Sequence, residues 1–441
     1  MEKIIALKSF GCPKNLIDIE LMAGILTENG YKVTLDENEA DIVIINTCAF
    51  INDAERESVN AILKSAQNNK KIIVTGCLSQ KYKSELKSAI PEISGLCGTT
   101  DFAKILELVE NVAKNNYKEI VSDTPNYSYP KNVKRQQITA GASSYIKIAD
   151  GCNCSCGYCI IPKLRGKMVS RPIEDILDEA KNLVKVGVSE IILVAQDTTD
   201  YGRDLYSKPQ LAKLIRELNK IDNLAKIRFM YGYPTNLNDE IISAVKECDK
   251  AVKYFDIPLQ HSHPEVLKRM NRPAQDYRKL INKIRTEIPD AAIRTSFIVG
   301  YPAETDEEFQ HLYDFVKDMK FDRLGVFEYS REKDTLSYSL KPQVPKKIKH
   351  ERYKKLMELQ RQISAKIMKS KVGKVLNCII ESYAEDENGN FSVIARTDFD
   401  APEIDGVVYI QSDEPLIPAT IEKIKIIDCN DYDLFGVRVS E

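Results

Sequence analysis

Over the first quarter of the chain, short apolar runs alternate with amphipathic stretches. KIIALKSFGC, DIVIINTC and KIIVTGC are rich in Ile and Val, and each ends on a cysteine: Cys12, Cys48 and Cys77. A helical stretch follows each, the clearest being LIDIELMAGILTENG. Apolar runs of this length alternating with helices predict βαβ units and a parallel sheet. Right-handed crossovers put the carboxyl ends of all three strands on one rim, where open α/β sheets bind ligands. The three cysteines are therefore expected to meet in space. Singly, each would be read as a small buried apolar side chain; recurrence at three equivalent places favours a shared site. Cys97, in ISGLCGTTD, also follows an apolar run and is assigned to the core.

Six further strand-like runs, each followed by a helical stretch, fill the middle of the chain. They are SSYIKIADGC, EIILVAQD, KIRFMYGYP, KYFDIPLQH, AIRTSFIVGYP and DRLGVFEYS. Six consecutive βα units predict a partial (βα)6 TIM-like barrel, two units short of closure. A doubly wound open sheet fits the same pattern. Asp197, Tyr231, Gln260, His261, Glu304 and Ser330 fall at the strand ends, where such a barrel builds its active site. The last stretch, with IEKIKII and GVVYIQ, has the short alternating strands of a small β-barrel. Residues 119–142 carry two Pro and no periodicity and read as connecting chain. The expected organisation is an N-terminal α/β domain over 1–115, a linker over 116–137, a barrel core with a connecting helix over 138–370, and a β-domain over 371–441.

Length supports this division: 441 residues suggest about three domains at roughly 150 residues each. Lys plus Arg number 63 and Asp plus Glu 65, giving a net charge of −2. That balance excludes wholesale nucleic-acid binding by net charge. Charge is uneven, however. From Lys346 to Lys374 there are eleven Lys or Arg against two Glu, and from Lys374 to Glu441 five against fifteen Asp or Glu. The first segment is a solvated connecting helix or a patch for RNA or another acidic surface; the second should attract a basic partner. No uncharged apolar run approaches the ~18 residues of a membrane span, and the start lacks the order of a secretory signal. A cytoplasmic protein without a membrane partner is expected.

Eleven cysteines in a reducing compartment point to metal or chemistry rather than disulfides. Four lie within ADGCNCSCGYCIIP: Cys152, Cys154, Cys156 and Cys159. A loop with Cys152, Cys156 and Cys159 separated by three and two residues can wrap three corners of an iron–sulfur cube, which normally takes four cysteines. Three leave one iron open to bind a substrate. Cys154 could replace a ligand or complete a four-cysteine zinc site, although four cysteines in eight residues are tight for tetrahedral closure. The four histidines, His261, His263, His311 and His350, are given no metal role.

This loop, with aromatic Tyr158 before its last cysteine, resembles the signature of the radical S-adenosylmethionine superfamily. With SFGCPKN, NTCAFI, TGCLSQKY, IIPKLRG, FDIPLQH, RTSFIVGYP and the terminal barrel, nearly the whole chain is similar to the methylthiotransferase family, whose terminal barrel is a TRAM domain. AQDTTDYG and RTDFDAPEIDG look like the branch that modifies an aspartate of the small-subunit ribosomal protein S twelve; the other branch modifies an adenosine of transfer RNA. Three departures stand out: the extra Cys154, Ala303 where the family usually has Gly, and His263 where Ser is expected.

The resemblance implies a mechanism. The target β-carbon C–H bond has no useful acidity, so acid–base catalysis would fail and a radical must remove the hydrogen. Cys152, Cys156 and Cys159 are expected to hold a first [4Fe-4S] cluster that binds S-adenosylmethionine and cleaves it to a 5′-deoxyadenosyl radical. Tyr158 and the Gly300–Glu304 turn, with Gly300, Pro302 and Glu304, are expected to line the cofactor pocket. Cys12, Cys48 and Cys77 match the family's second [4Fe-4S] cluster, where a first S-adenosylmethionine would methylate bound sulfide. An electron donor, a sulfur donor and a monomeric chain complete the expectation. An iron–sulfur carrier with an RNA-binding tail is the non-enzymatic alternative; it predicts no consumption of S-adenosylmethionine.

Overall fold

A computed structural model describes residues 4–49, 51–130, 133–138, 141–385, 391–412 and 414–439. Lys3 of the first predicted strand, Phe50 of NTCAFI, parts of the predicted linker and the acidic 385–390 and 413 region fall wholly or partly outside the described residues. The N-terminal strands are β1 (Ile4–Ser9), β2 (Lys32–Thr34), β3 (Ile42–Thr47), β4 (Lys71–Gly76), β5 (Ile93–Cys97) and β6 (Lys118–Ile120). They form one parallel sheet in the order β2-β1-β3-β4-β5-β6. Ile5, Ile44 and Ile73 on the central strands are fully buried, each contributing about 1.5–3 kcal/mol relative to exposure. The order reverses between β1 and β3, and such a reversal opens a crevice at the carboxyl ends of the strands.

The middle of the chain supplies β7 (Ser143–Lys147), the short β8 (Ala149–Asp150) and β9 (Val169–Ser170), then β10 (Glu190–Val194), β11 (Lys226–Phe229), β12 (Tyr254–Asp256), β13 (Ala292–Val299) and β14 (Arg323–Glu328). All six predicted barrel strands are present. They pair in parallel as β7-β10-β11 and β12-β13-β14, joined by the bridge between Ile227 and Ala251. This is the partial barrel, not a doubly wound sheet. The C-terminal strands β15 (Val375–Glu385), β16 (Phe391–Thr397), β17 (Val408–Ser412), β18 (Ile421–Cys429) and β19 (Leu434–Arg438) close into a small barrel. No described helix is long and apolar enough to cross a membrane.

Three features depart from the expectation, each for an electrostatic or packing reason. The predicted linker contains β6, and its other described residues pack as a strap. Tyr127 is buried, and the Arg135 guanidinium donates to Glu20 at 2.7 Å and Glu179 at 2.8 Å, tying the helix Pro13–Glu28 to the helix Ile173–Lys185. The basic helix Lys346–Lys369 is not wholly solvated. Arg352 turns inward, and Arg361 pairs with Glu358 and Asp431. The acidic charge of the C-terminal domain is also partly internal. Asp398 pairs with Lys226, Asp400 with Arg323, and Asp405 accepts from Tyr254 Oη at 2.6 Å. Arg396 reaches Glu190. These acids therefore seat the small barrel on the amino-terminal end of the barrel strands, leaving Glu403, Glu414 and Asp428 among the described acids that face solvent.

Candidate iron–sulfur and cofactor sites

Cys12 follows β1 and caps the helix Pro13–Glu28; Cys48 follows β3; Cys77 follows β4 and opens the helix Cys77–Tyr82. Because β1, β3 and β4 are adjacent and parallel, the three thiols share one rim. Gly11 lets Cys48 approach the chain just before Cys12. Its φ of +101° belongs to the left-handed region, and a Cβ there would stand 2.7 Å from Cys48 Cβ and 3.2 Å from its Sγ. Ser58 Oγ accepts from the Cys48 N–H at 3.0 Å and fixes its backbone. Burial pushes the Cys12 thiol up, but Lys14, Arg165 and the backbone N–H groups of Asn15 and Lys14 outweigh it and hold its pKa below the usual value. Burial raises Cys77, against the Arg165 charge, and the neighbouring Cys12 adds to the rise. Cys97 is fully buried in the core, as expected.

The second group sits on a loop clamped at its base. β8 and β9 pair antiparallel, and the Cys152 N–H donates to Gly166 O at 3.1 Å. Gly151 precedes Cys152 with φ +80°, and a Cβ there would come within 2.1 Å of Lys167 O. Replacing Gly151 by Ala should destabilise the protein by about 2 kcal/mol through left-handed strain and this backbone clash. A lowered denaturation midpoint checks it. Within the loop, Cys159 N donates to Cys156 O at 3.0 Å and Gly157 N to Met270 O at 2.7 Å. The N–H of the extra Cys154 reaches Cys152 Sγ at 3.4 Å, and its interaction with Cys152 lowers the Cys152 pKa and raises its own. Burial pushes Cys159 up to about 12.

Sequence reasoning missed Arg272. Its guanidinium donates to Cys156 Sγ at 3.7 Å, Tyr158 Oη at 3.3 Å and Pro258 O at 2.9 Å, and lies 4.4 Å from the centre of the Tyr233 ring. It is buried, and no carboxylate pairs with it among the described residues. Nothing in NRPAQ marks it, since its partners come from distant loops. A buried cation beside a thiol needs an anion, and a thiolate-bound cluster would supply one.

Between the two groups lies a buried polar network. Arg165 donates to Asp150 Oδ2 at 2.7 Å, Asp18 Oδ2 at 3.3 Å and Asn15 Oδ1 at 2.6 Å. Lys147 pairs with Asp150 at 2.7 Å and with Asp18. Asp150 also accepts from Gln196 at 2.8 Å. Lys14 donates to Ala195 O at 3.4 Å and lies 3.8 Å from the centre of the Tyr231 ring. Arg165 and Lys14 stand inside IIPKLRG and SFGCPKN, but their partners across the domains are not legible there.

Each group offers three free thiols, the donor type that iron–sulfur clusters take. None of the eleven cysteines forms a disulfide. Among the described residues no three His, Cys, Asp or Glu converge on one ion position.

The expected cofactor-pocket residues divide. Tyr158 is beside the cysteine loop, held by Arg272. Gly300 and Pro302 lie in the turn after β13, with Lys349 against the open side of Gly300. The Glu304 carboxylate is committed elsewhere. Its Oε1 accepts from Arg352 at 2.8 Å, and its Oε2 from Tyr301 N at 3.1 Å. Burial pushes its pKa up to about 7 against the Arg352 charge. Replacing Arg352 by Ala should cost about 3 kcal/mol in equilibrium unfolding, because Glu304 would remain buried without its partner. Ala303 sits at φ +62°, the left-handed conformation in which Gly is less strained. His263 caps the helix Pro264–Arg269, accepting from Glu265 N at 3.3 Å, the task of the expected Ser. His261 is buried and held neutral by desolvation, with neighbouring positive charge adding to the effect.

Comparisons with known proteins agree with this architecture. The family model described as uncharacterized protein family UPF0004 matches residues 4–98, that of the radical SAM superfamily residues 146–316, and that of the TRAM domain residues 372–439. A ribosomal protein uS12 methylthiotransferase RimO of Thermoanaerobacter sp. (strain X514) is 47% identical, covering 98% of this chain and 99% of its own. The protein of the same name from Clostridioides difficile (strain 630) is 44% identical, with 98% of each chain covered. Among solved structures, the radical S-adenosylmethionine methyltransferase TsrM from Kitasatospora setae superposes with a TM-score of 0.54 at 13% identity, covering 74% of this chain and 73% of that one. That likeness speaks for the fold alone.

Proposed function

Because the chain belongs to the RimO family of ribosomal protein uS12 methylthiotransferases, we propose that it replaces one hydrogen on the β-carbon of an aspartate of uS12 with a methylthio group. It is a radical S-adenosylmethionine enzyme. The observation that carries the reading is similarity along the full length to proteins named for this reaction, in a chain whose two cysteine groups lie at strand ends.

In this reading Cys152, Cys156 and Cys159 hold the [4Fe-4S] cluster of the superfamily, and Cys12, Cys48 and Cys77 hold a second. When bound, the clusters supply the electron that cleaves S-adenosylmethionine and an iron site for the sulfur to be transferred. The protein does the rest. Gly151 and the β8–β9 pair orient the loop, and Arg272 places positive charge beside Cys156. Tyr158, beside the loop, and the backbone of the Gly300–Pro302 turn would line the cofactor pocket. Glu304 holds that turn in place through Arg352 and the Tyr301 N–H. An external reductant and a sulfur donor complete the reaction.

The names of the relatives favour the ribosomal protein over transfer RNA as the substrate. The deciding experiment incubates the anaerobically reconstituted enzyme with uS12 or with transfer RNA, S-adenosylmethionine, sulfide and dithionite. The expected product is uS12 heavier by one methylthio group in place of one hydrogen. Methylthioadenosine in the RNA with uS12 unchanged would reverse the assignment.

A further inference from the structure

The buried network around Arg165 is drawn from both domains. Helix Pro13–Glu28, which begins one residue after Cys12, contributes Lys14, Asn15 and Asp18. The loop that carries Cys152 to Cys159 ends in helix Ile161–Arg165 and contributes Arg165; the strand end before that loop contributes Lys147 and Asp150. Asn15 is itself locked to the rim: its Nδ2 donates to Phe10 O at 3.0 Å and Thr47 O at 2.9 Å, and its carbonyl accepts from Asn46 at 2.9 Å. Arg165 therefore reaches the N-terminal domain at a point set by the same backbone that places Cys12 and Cys48.

The charges do not cancel within the network. Arg165, Lys147 and Lys14 are positive, and Asp18 and Asp150 negative; all five are at most 7% exposed. Lys14 has only a carbonyl and an aromatic face as partners among the described residues. One positive charge is left over. The thiols within interaction range of Arg165 are Cys12 and Cys77, and Lys14 adjoins Cys12. A cube held by three thiolates is anionic and would balance the excess.

We propose that Arg165 and Lys14 are positioning residues that form a cationic cradle for the N-terminal cluster. Arg165, the half carried by the radical S-adenosylmethionine loop, completes that site only when the two domains are docked. The inference rests on the assignment of Cys12, Cys48 and Cys77 as cluster ligands. Positive charge beside an anionic cluster favours the reduced form, so its removal lowers the cluster's reduction potential. Asp150 and Asp18 hold the guanidinium in place.

The test is a redox titration followed by electron paramagnetic resonance. It uses the full chain with Cys152, Cys156 and Cys159 replaced by Ala, so that only the N-terminal cluster is reconstituted. Arg165→Gln and Lys14→Gln should each shift the midpoint to more negative potential, and Arg165→Lys should restore most of the first shift. In the complementary chain, with Cys12, Cys48 and Cys77 replaced by Ala, Arg165→Gln should leave the remaining cluster's potential in place. Midpoints unchanged by both Gln variants overturn the proposal. So does an Arg165→Lys shift as large as that of Arg165→Gln, or an equal shift of both clusters, since each reports loosened structure rather than charge. If Arg165→Gln does not fold, Lys14→Gln decides. A parent chain that takes up no iron at Cys12, Cys48 and Cys77 is a different result: it removes the ligand assignment itself.

Discussion

Replacing Cys156 by Ala is expected to reduce 5′-deoxyadenosine formation from S-adenosylmethionine to the level seen without protein. Iron should fall from roughly eight to roughly four per chain, as two three-thiolate cubes require. The position is chosen for its surroundings. Cys156 is the thiol that Arg272 approaches at 3.7 Å, and its carbonyl accepts the Cys159 N–H at 3.0 Å. Ala preserves that backbone bond and removes only the sulfur, so the loop should remain closed by β8 and β9 while the cube loses a corner. Liquid chromatography of the nucleoside product, with iron and acid-labile sulfide assays on the same sample, reads both effects. An iron content reduced by half with nucleoside formation intact would move the radical chemistry away from this loop.

Replacing Cys48 by Ala is expected to give the opposite dissociation. Methylthiolated uS12 should disappear while 5′-deoxyadenosine is still formed, because the rim cysteines belong to the N-terminal sheet and the radical-forming loop to the barrel. The backbone at Cys48 is held by Ser58 and its side chain lies against Gly11, so Ala leaves the strand end intact. Iron should again fall by about four per chain. Together the two variants separate hydrogen abstraction from sulfur donation by location, which a single shared metal site could not do.

What the sequence made legible was local. KIIALKS, DIVIINT and KIIVTG carry enough Ile and Val to declare central strands, each followed by a rim cysteine. The edge strands β2 and β6 escaped because KVT and KEI are three residues long and only half-buried, so no apolar period develops. Charge misled where its partners were remote. Asp398, Asp400 and Asp405 looked like part of an acidic surface, yet their partners Lys226, Arg323 and Tyr254 lie far back in the chain. Arg165 escaped for the same reason: Asp18 is 147 residues away. Composition counts charges; only the fold decides which of them still face water.

The central claim is that this loop and barrel direct a radical to a β-carbon of uS12. The most direct test supplies uS12 in which aspartate is deuterated at the β-position. The account predicts deuterium in the 5′-deoxyadenosine released as methylthiolated uS12 accumulates. Modified uS12 formed alongside deuterium-free 5′-deoxyadenosine would contradict it.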